Sequence, residues 1–192
     1  MRRQDFVRVL HENQVVAAIK DVDGLKRSLA SQCKIVFVLF GDIVNIPKIV
    51  EKIKNTGKIA LVHVDLVDGL SSRSIAVEYI AKNTCADGII STRPNIIKHA
   101  KEFDLLAIQR FFVLDSLALN NISRQIAYEA ADAVEILPGV MPKIIKKLVE
   151  GVRKPVIAGG LITDDEDIIN ALSAGASAIS SSNQAIWRDS SS

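Results

Sequence analysis

Asp65 and Glu135 are carboxylates set in or just after apolar runs, and Lys20, Arg93, Gln109 and Arg110 stand at the ends of similar runs. Two carboxylates and a lysine gathered in one cleft are materials for acid–base chemistry, or for orienting the hydroxyls of a small polyol. A second set relies on backbone as much as on side chains. The stretch "PVIAGGLI" (155–162) closes on Gly159 and Gly160, and "ASAISSSNQAIW" (176–187) closes its apolar run on Ser181, Ser182 and Asn183. Glycines let backbone N–H groups approach an oxyanion, and a helix start after the serines favours an anion. The two stretches together read as a phosphate cradle; the plainer reading of the glycines is tight turns that need positive φ.

Neighbouring residues constrain the set. Glu135 lies between Val134 and Ile136, so a buried carboxylate there needs a cation or hydrogen bonds, which Lys20, Arg93 or Arg110 can supply. Gln109 and Arg110 are adjacent and so point to opposite faces of a strand; Gln109 is assigned inward, and Arg110 beside the ligand or against Asp115. His63 shares the side of Asp65 by period-two alternation and is read as a core histidine. In "HVDLVDGLSS" (63–72), Asp68, Gly69, Ser71 and Ser72 form either a helix cap or a ligand loop.

The elements that must position these residues repeat along the chain. Eight short apolar runs, "VVAAI" (15–19), "IVFVLF" (35–40), "IALVHVDL" (59–66), "DGIIST" (87–92), "LLAIQRFF" (105–112), "AVEIL" (133–137), "PVIAGG" (155–160) and "ASAISSS" (176–182), alternate with segments of helical period. Strands apolar on both faces and separated by helices make a parallel sheet covered by helices. Eight such units predict an α/β fold, a (β/α)₈ barrel, with an open doubly wound sheet as the alternative. In a barrel the candidate residues meet at one mouth, at the strand C-termini.

A chain of 192 residues, 48% of them hydrophobic, is expected to form one compact domain over 1–192, with an N-terminal capping helix (1–13) and a flexible tail (189–192). Its net charge of +2 neither requires nor excludes a nucleic acid. The densest basic run, "KIIKKLVEGVRK", carries Lys143, Lys146, Lys147, Arg153 and Lys154: a solvated helix face, or a contact for a phosphate backbone. Cys33 and Cys85 form no CxxC pair and read as reduced thiols, and no metal site is expected. No signal-type apolar region or membrane-length run is found, so a cytoplasmic protein without a membrane partner is expected.

"LFGDI", "HVDLVDGLSS", "DGIISTRPNIIKHAK", "LLAIQRFFVLDSLAL", "VEILPGVMPKII", "VIAGGLI" and "AISSSNQAIW" together resemble the glycerol-3-phosphate-responsive antiterminators of bacterial glycerol-uptake operons, from about Val15 to Trp187. The resemblance implies a barrel with no catalytic residues and no cofactor, a regulator whose effector is glycerol 3-phosphate and whose partner is an mRNA leader. Carried over, Gly159, Gly160, Ser181, Ser182 and Asn183 would hold the phosphate. Lys20, Asp65, Gln109 and Glu135 would position the glycerol hydroxyls, and Arg93 and Arg110 would neutralise the phosphate or lock the loops. The outer faces of such a barrel are also compatible with a homo-oligomer. The residues alone leave two other readings open: an isomerase or synthase of a phosphorylated sugar, and a metabolite-sensing partner of another protein.

Overall fold

The computed structural model describes residues 3–70, 73–119, 122 and 130–188. The strands are β1 (Val15–Ile19), β2 (Ile35–Val38), β3 (Ile59–His63), β4 (Gly88–Ser91), β5 (Leu106–Phe112), β6 (Ala133–Leu137), β7 (Val156–Gly159) and β8 (Ala178–Ser181). Every neighbouring pair is parallel, and β8 pairs back onto β1, so the sheet is a closed (β/α)₈ barrel and not an open doubly wound sheet. The helices are α1 (Arg3–Glu12), α2 (Val22–Ala30), α3 (Ile46–Lys54), α4 (Ile75–Asn83), α5 (Pro94–Ala100), α6 (Pro142–Gly151) and α7 (Asp165–Ser173). Residues 116–119 and 122, between β5 and β6, are also helical.

Aspartates set two helix starts as the sequence signals indicate. Asp21 accepts a hydrogen bond from the Gly24 backbone N–H at 2.7 Å, and Asp164 accepts one from Asp167 N–H at 2.9 Å. Among the described residues, β8 is followed by a three-residue 3₁₀ turn, Gln184–Ile186, and then buried Trp187, whose indole N–H donates to the Ser181 carbonyl. The tail expected at 189–192 lies outside the described residues.

Side chains alternate strictly between two cores. Val16 and Ala18, Ile35 and Phe37, Ile59 and Leu61, Leu106 and Ile108 fill the barrel, with Ile90, Ala133, Ile157 and Ala178 from the other strands. Phe6 and Leu10 of α1 pack into this same cluster and are fully buried, so α1 is a plug for one end. The intervening residues, such as Val36, Val62, Ala107 and Val134, pack against the helices.

One device recurs at the strand N-termini. Asp87, just before β4, accepts from Lys54 Nζ at 2.6 Å and Ala60 N–H at 2.9 Å, while Lys54 also donates to the Lys58 carbonyl. Asp132, just before β6, accepts from Lys101 Nζ at 2.6 Å and Ala107 N–H at 2.9 Å, while Lys101 donates to the Leu105 carbonyl. Each carboxylate therefore stitches its strand to the one before and to that strand's preceding helical segment. Plug and clamps close the axis at this end of the barrel. Among the described residues no helix is long and apolar enough to cross a membrane.

Candidate binding site at the barrel mouth

The apolar filling of the barrel gives way to polar side chains one layer below the strand C-termini. Continuing the inward alternation from Leu61, Ile108, Ala133 and Ala178 brings His63, Arg110, Glu135 and Ser180 to the axis. Arg110 Nε donates to Glu135 Oε2 at 2.5 Å, and Ser180 Oγ donates to Glu135 Oε1 at 2.5 Å. The Glu135 side chain is 1% exposed, so the ion pair and the hydroxyl together supply what burial of that charge demands. Gly159 roofs the pair: a Cβ there would lie 2.6 Å from Ser180 Oγ and 2.7 Å from Glu135 Oε1. Glycine is needed here because two buried side chains occupy the space of its missing methyl.

Arg110 thus takes the inward place that sequence reading gave to Gln109. Gln109 follows Ala107 onto the outer face of β5, is 4% exposed, and its Nε2 has no hydrogen-bond partner among the described residues. Strand alternation decides this, since Leu106 and Ile108 fill the barrel. Asp115, the alternative partner for Arg110, instead accepts from Ala118 N–H at 2.7 Å.

Asp65 is likewise differently placed. β3 ends at His63, and Val64–Leu66 form a 3₁₀ turn, so Asp65 is outside the strand alternation. Its carboxylate accepts from Ser91 Oγ with both oxygens at 3.0 Å, and from Thr92 N–H at 2.9 Å and Thr92 Oγ1 at 3.2 Å. Exposed Arg93 approaches it at 3.9 Å. Asp65 therefore anchors the end of β4. Asp68 is no helix cap: its backbone pairs with the loop after β2, its N–H donating to Gly41 and its carbonyl accepting from Ile43. Ser71 and Ser72 lie outside the described residues.

The cradle after β7 and β8 is held together by the side chains expected to grip an anion. Ser181 Oγ donates to the Ile162 carbonyl at 2.7 Å and accepts from Asn183 N–H at 3.0 Å. Asn183 Nδ2 donates to the Thr163 carbonyl at 2.6 Å, and its Oδ1 accepts from Ala185 N–H. Ser181 and Asn183 thus join the two loops, and the half-buried Ser182 lies between them, just beyond β8. Gly160 has φ +75° and Leu161, 71% exposed, has φ +62°; a leucine in the left-handed region is strained backbone in the cradle loop. Lys20 is exposed, one residue beyond the end of β1.

Two contributors, His63 and Ser180, are not among the candidate residues of the sequence; His63, expected as a satisfied core histidine, is buried but has an Nδ1 unpartnered among the described residues. Ser180 shares the inward parity of Ala178, one residue before the strand end at Ser181. His63 is 3% exposed, and its Nδ1 has no hydrogen-bond partner among the described residues; the nearest carboxylate oxygen, Asp65 Oδ2, is 3.9 Å away. Burial, with the positive charge of Arg110, depresses its pKa to about 4 against the opposing pull of Asp65, so the ring is neutral at physiological pH.

The basic run lies elsewhere. Lys143, Lys146 and Lys147 are exposed on α6, Arg153 is exposed beyond its end, and Lys154 is half-buried.

The pattern of the glycerol-3-phosphate responsive antiterminators matches residues 15–187. The chain belongs to that family. This antiterminator-family chain is 42% identical over 182 residues to the uncharacterized protein YgcP of Escherichia coli (strain K12), covering 95% of each. It superposes on the glycerol uptake operon antiterminator regulatory protein of Listeria monocytogenes str. 4b F2365 with a TM-score of 0.87 at 34% identity, covering 91% of this chain and 94% of that one. A glycerol uptake operon antiterminator-related protein from Thermotoga maritima MSB8 gives a TM-score of 0.79 at 34% identity, over 91% and 98% of the two chains. The β6 and β7 loops of this family member are tied to each other by Gly139 N–H donating to the Gly160 carbonyl at 3.0 Å, so the cradle loop touches the segment that leads into α6.

Proposed function

We propose that the barrel mouth binds glycerol 3-phosphate without turning it over, and that the loaded protein binds the leader of its target mRNA and prevents termination. The observation that favours binding over catalysis is the state of the two carboxylates. Glu135 is engaged at both oxygens by Arg110 and Ser180, and Asp65 by Ser91 and Thr92. Such carboxylates are positioning elements, and neither is a free acid or base for a phosphosugar reaction. The phosphate is assigned to the loops after β7 and β8, with Ser182, Lys20 and the Gly160–Leu161 backbone as its donors. Arg110 and Glu135 form the floor under the glycerol moiety, and no metal or cofactor is required.

RNA is assigned to the basic face of α6, through Lys143, Lys146 and Lys147, with Arg153 extending it. The Gly139–Gly160 hydrogen bond gives phosphate binding a mechanical route to the start of that helix. Such a regulator acts in the cytoplasm, where transcripts are made.

Gel-shift titration of a glycerol-operon leader RNA with and without glycerol 3-phosphate tests the reading. Ligand should tighten RNA binding, and the double variant Lys146→Glu/Lys147→Glu should abolish it while leaving ligand binding intact. RNA affinity indifferent to the ligand would refute the regulatory coupling; consumption of the ligand would favour an enzyme.

A further inference from the structure

The polar floor of the mouth is closed at every member but one. Arg110, Glu135 and Ser180 satisfy one another, whereas Nδ1 of His63, buried beside them on the inward alternation of β3, has no hydrogen-bond partner among the described residues. A buried polar group without a partner costs free energy, and a rearrangement on ligand binding that brings a partner to it recovers that cost. Asp65 Oδ2 stands 3.9 Å from His63 Nδ1, beyond hydrogen-bond length but within reach of a small inward movement of the 3₁₀ turn that carries it.

We infer that His63 is the residue that reads the polyol part of the ligand: on binding, Nδ1–H donates to Asp65 and Nε2 accepts a hydrogen bond from a ligand hydroxyl. This rests on the reading of the mouth as a glycerol 3-phosphate site and adds the element that separates a hydroxylated phosphate ester from a bare one. The ring's neutrality at physiological pH suits this role, because an imidazolium would have no acceptor to offer. Once within reach of Nδ1, Asp65 sets the tautomer, and so acts on the ligand only through His63.

The test pairs ligand truncation with side-chain truncation. Wild type, His63→Phe and His63→Gln are titrated calorimetrically with glycerol 3-phosphate and with propyl phosphate, which lacks both hydroxyls. Phe should weaken glycerol 3-phosphate binding roughly tenfold and leave propyl phosphate unchanged, and Gln, which restores an acceptor, should recover part of the loss. Equal losses for both ligands, or no loss for either, would overturn the assignment. Failure of wild type to bind glycerol 3-phosphate would instead refute the site reading and carry this inference with it. Imidazole ¹⁵N shifts of the wild type provide a readout independent of how the variants fold. Added glycerol 3-phosphate should shift His63 to the Nδ1–H tautomer with an acceptor-type Nε2, and propyl phosphate should leave the Nε2 resonance unmoved. An identical response to the two ligands would again count against the proposal.

Discussion

The two ends of this barrel use the same residue types to opposite purpose. At the strand N-termini, Asp87 and Asp132 each bind a lysine and a neighbouring strand's N–H, the same construction twice, and α1 seals the axis with Phe6 and Leu10. Nothing in that construction points to a ligand. At the mouth, one ion pair lies at the axis beneath a glycine whose missing methyl makes room for it, and beside it lies a histidine whose Nδ1 has no partner among the described residues. The clamp end spends its charges on holding elements together, and the mouth keeps polar groups where a small molecule can complete them. If the mouth is the ligand site proposed above, substitutions at the two ends should behave differently.

The largest effect should come from breaking the mouth's own ion pair. Glu135→Ala leaves the Arg110 guanidinium buried without its carboxylate and should cost about 3–5 kcal/mol in urea unfolding. Glu135→Gln keeps shape and an acceptor; its stability loss should be much smaller, and its effect should fall on ligand affinity.

His63 should make stability pH-dependent. Its folded pKa of about 4 lies below that of an unfolded histidine, so between those values the unfolded chain binds the extra proton and stability falls as pH drops. Going from pH 7 to pH 4 should cost wild type roughly 3 kcal/mol more than His63→Phe, with Arg110 and Asp65 unchanged in both. Parallel urea midpoints across that range would contradict the depressed pKa.

At the clamp end, Asp132→Asn should cost about 2 kcal/mol, the worth of a charge-assisted bond to Lys101, and should leave the ligand dissociation constant unaltered. A matched loss of affinity would break the proposed separation between the two ends. The smallest effect expected is at Leu161. Replacement by glycine removes the left-handed strain and should change stability by no more than ~1 kcal/mol toward the folded state, measurable as a rise in Tm.

What was legible in the sequence follows from what period and composition encode. The eight runs, their parallel pairing and the mouth at their C-termini could be read because both faces of each strand are buried and helices intervene. Glu135's need for a cation was legible for the same reason, since its neighbours Val134 and Ile136 fix it in mid-strand. The inward choice between Gln109 and Arg110 was not, because two polar residues in succession carry no hydrophobic contrast; only Leu106 and Ile108, once placed in the core, decide it. Asp65 is placed differently because the strand ends three residues before its apolar run does, and the turn at Val64–Leu66 breaks the alternation. Ser181 and Asn183 have the chemistry to grip an anion but spend it on the carbonyls of Ile162 and Thr163, partners that come from another strand's loop and leave no trace in local spacing.

The central claim, that the mouth is a binding site and not a reaction centre, is tested most directly by calorimetric titration of the wild type with glycerol 3-phosphate, the recovered ligand then being assayed by phosphorus NMR. Saturable binding at one site per chain, absent with glycerol alone and leaving the phosphate ester intact, is the predicted result. No binding, or conversion of the ester to another species, would contradict it.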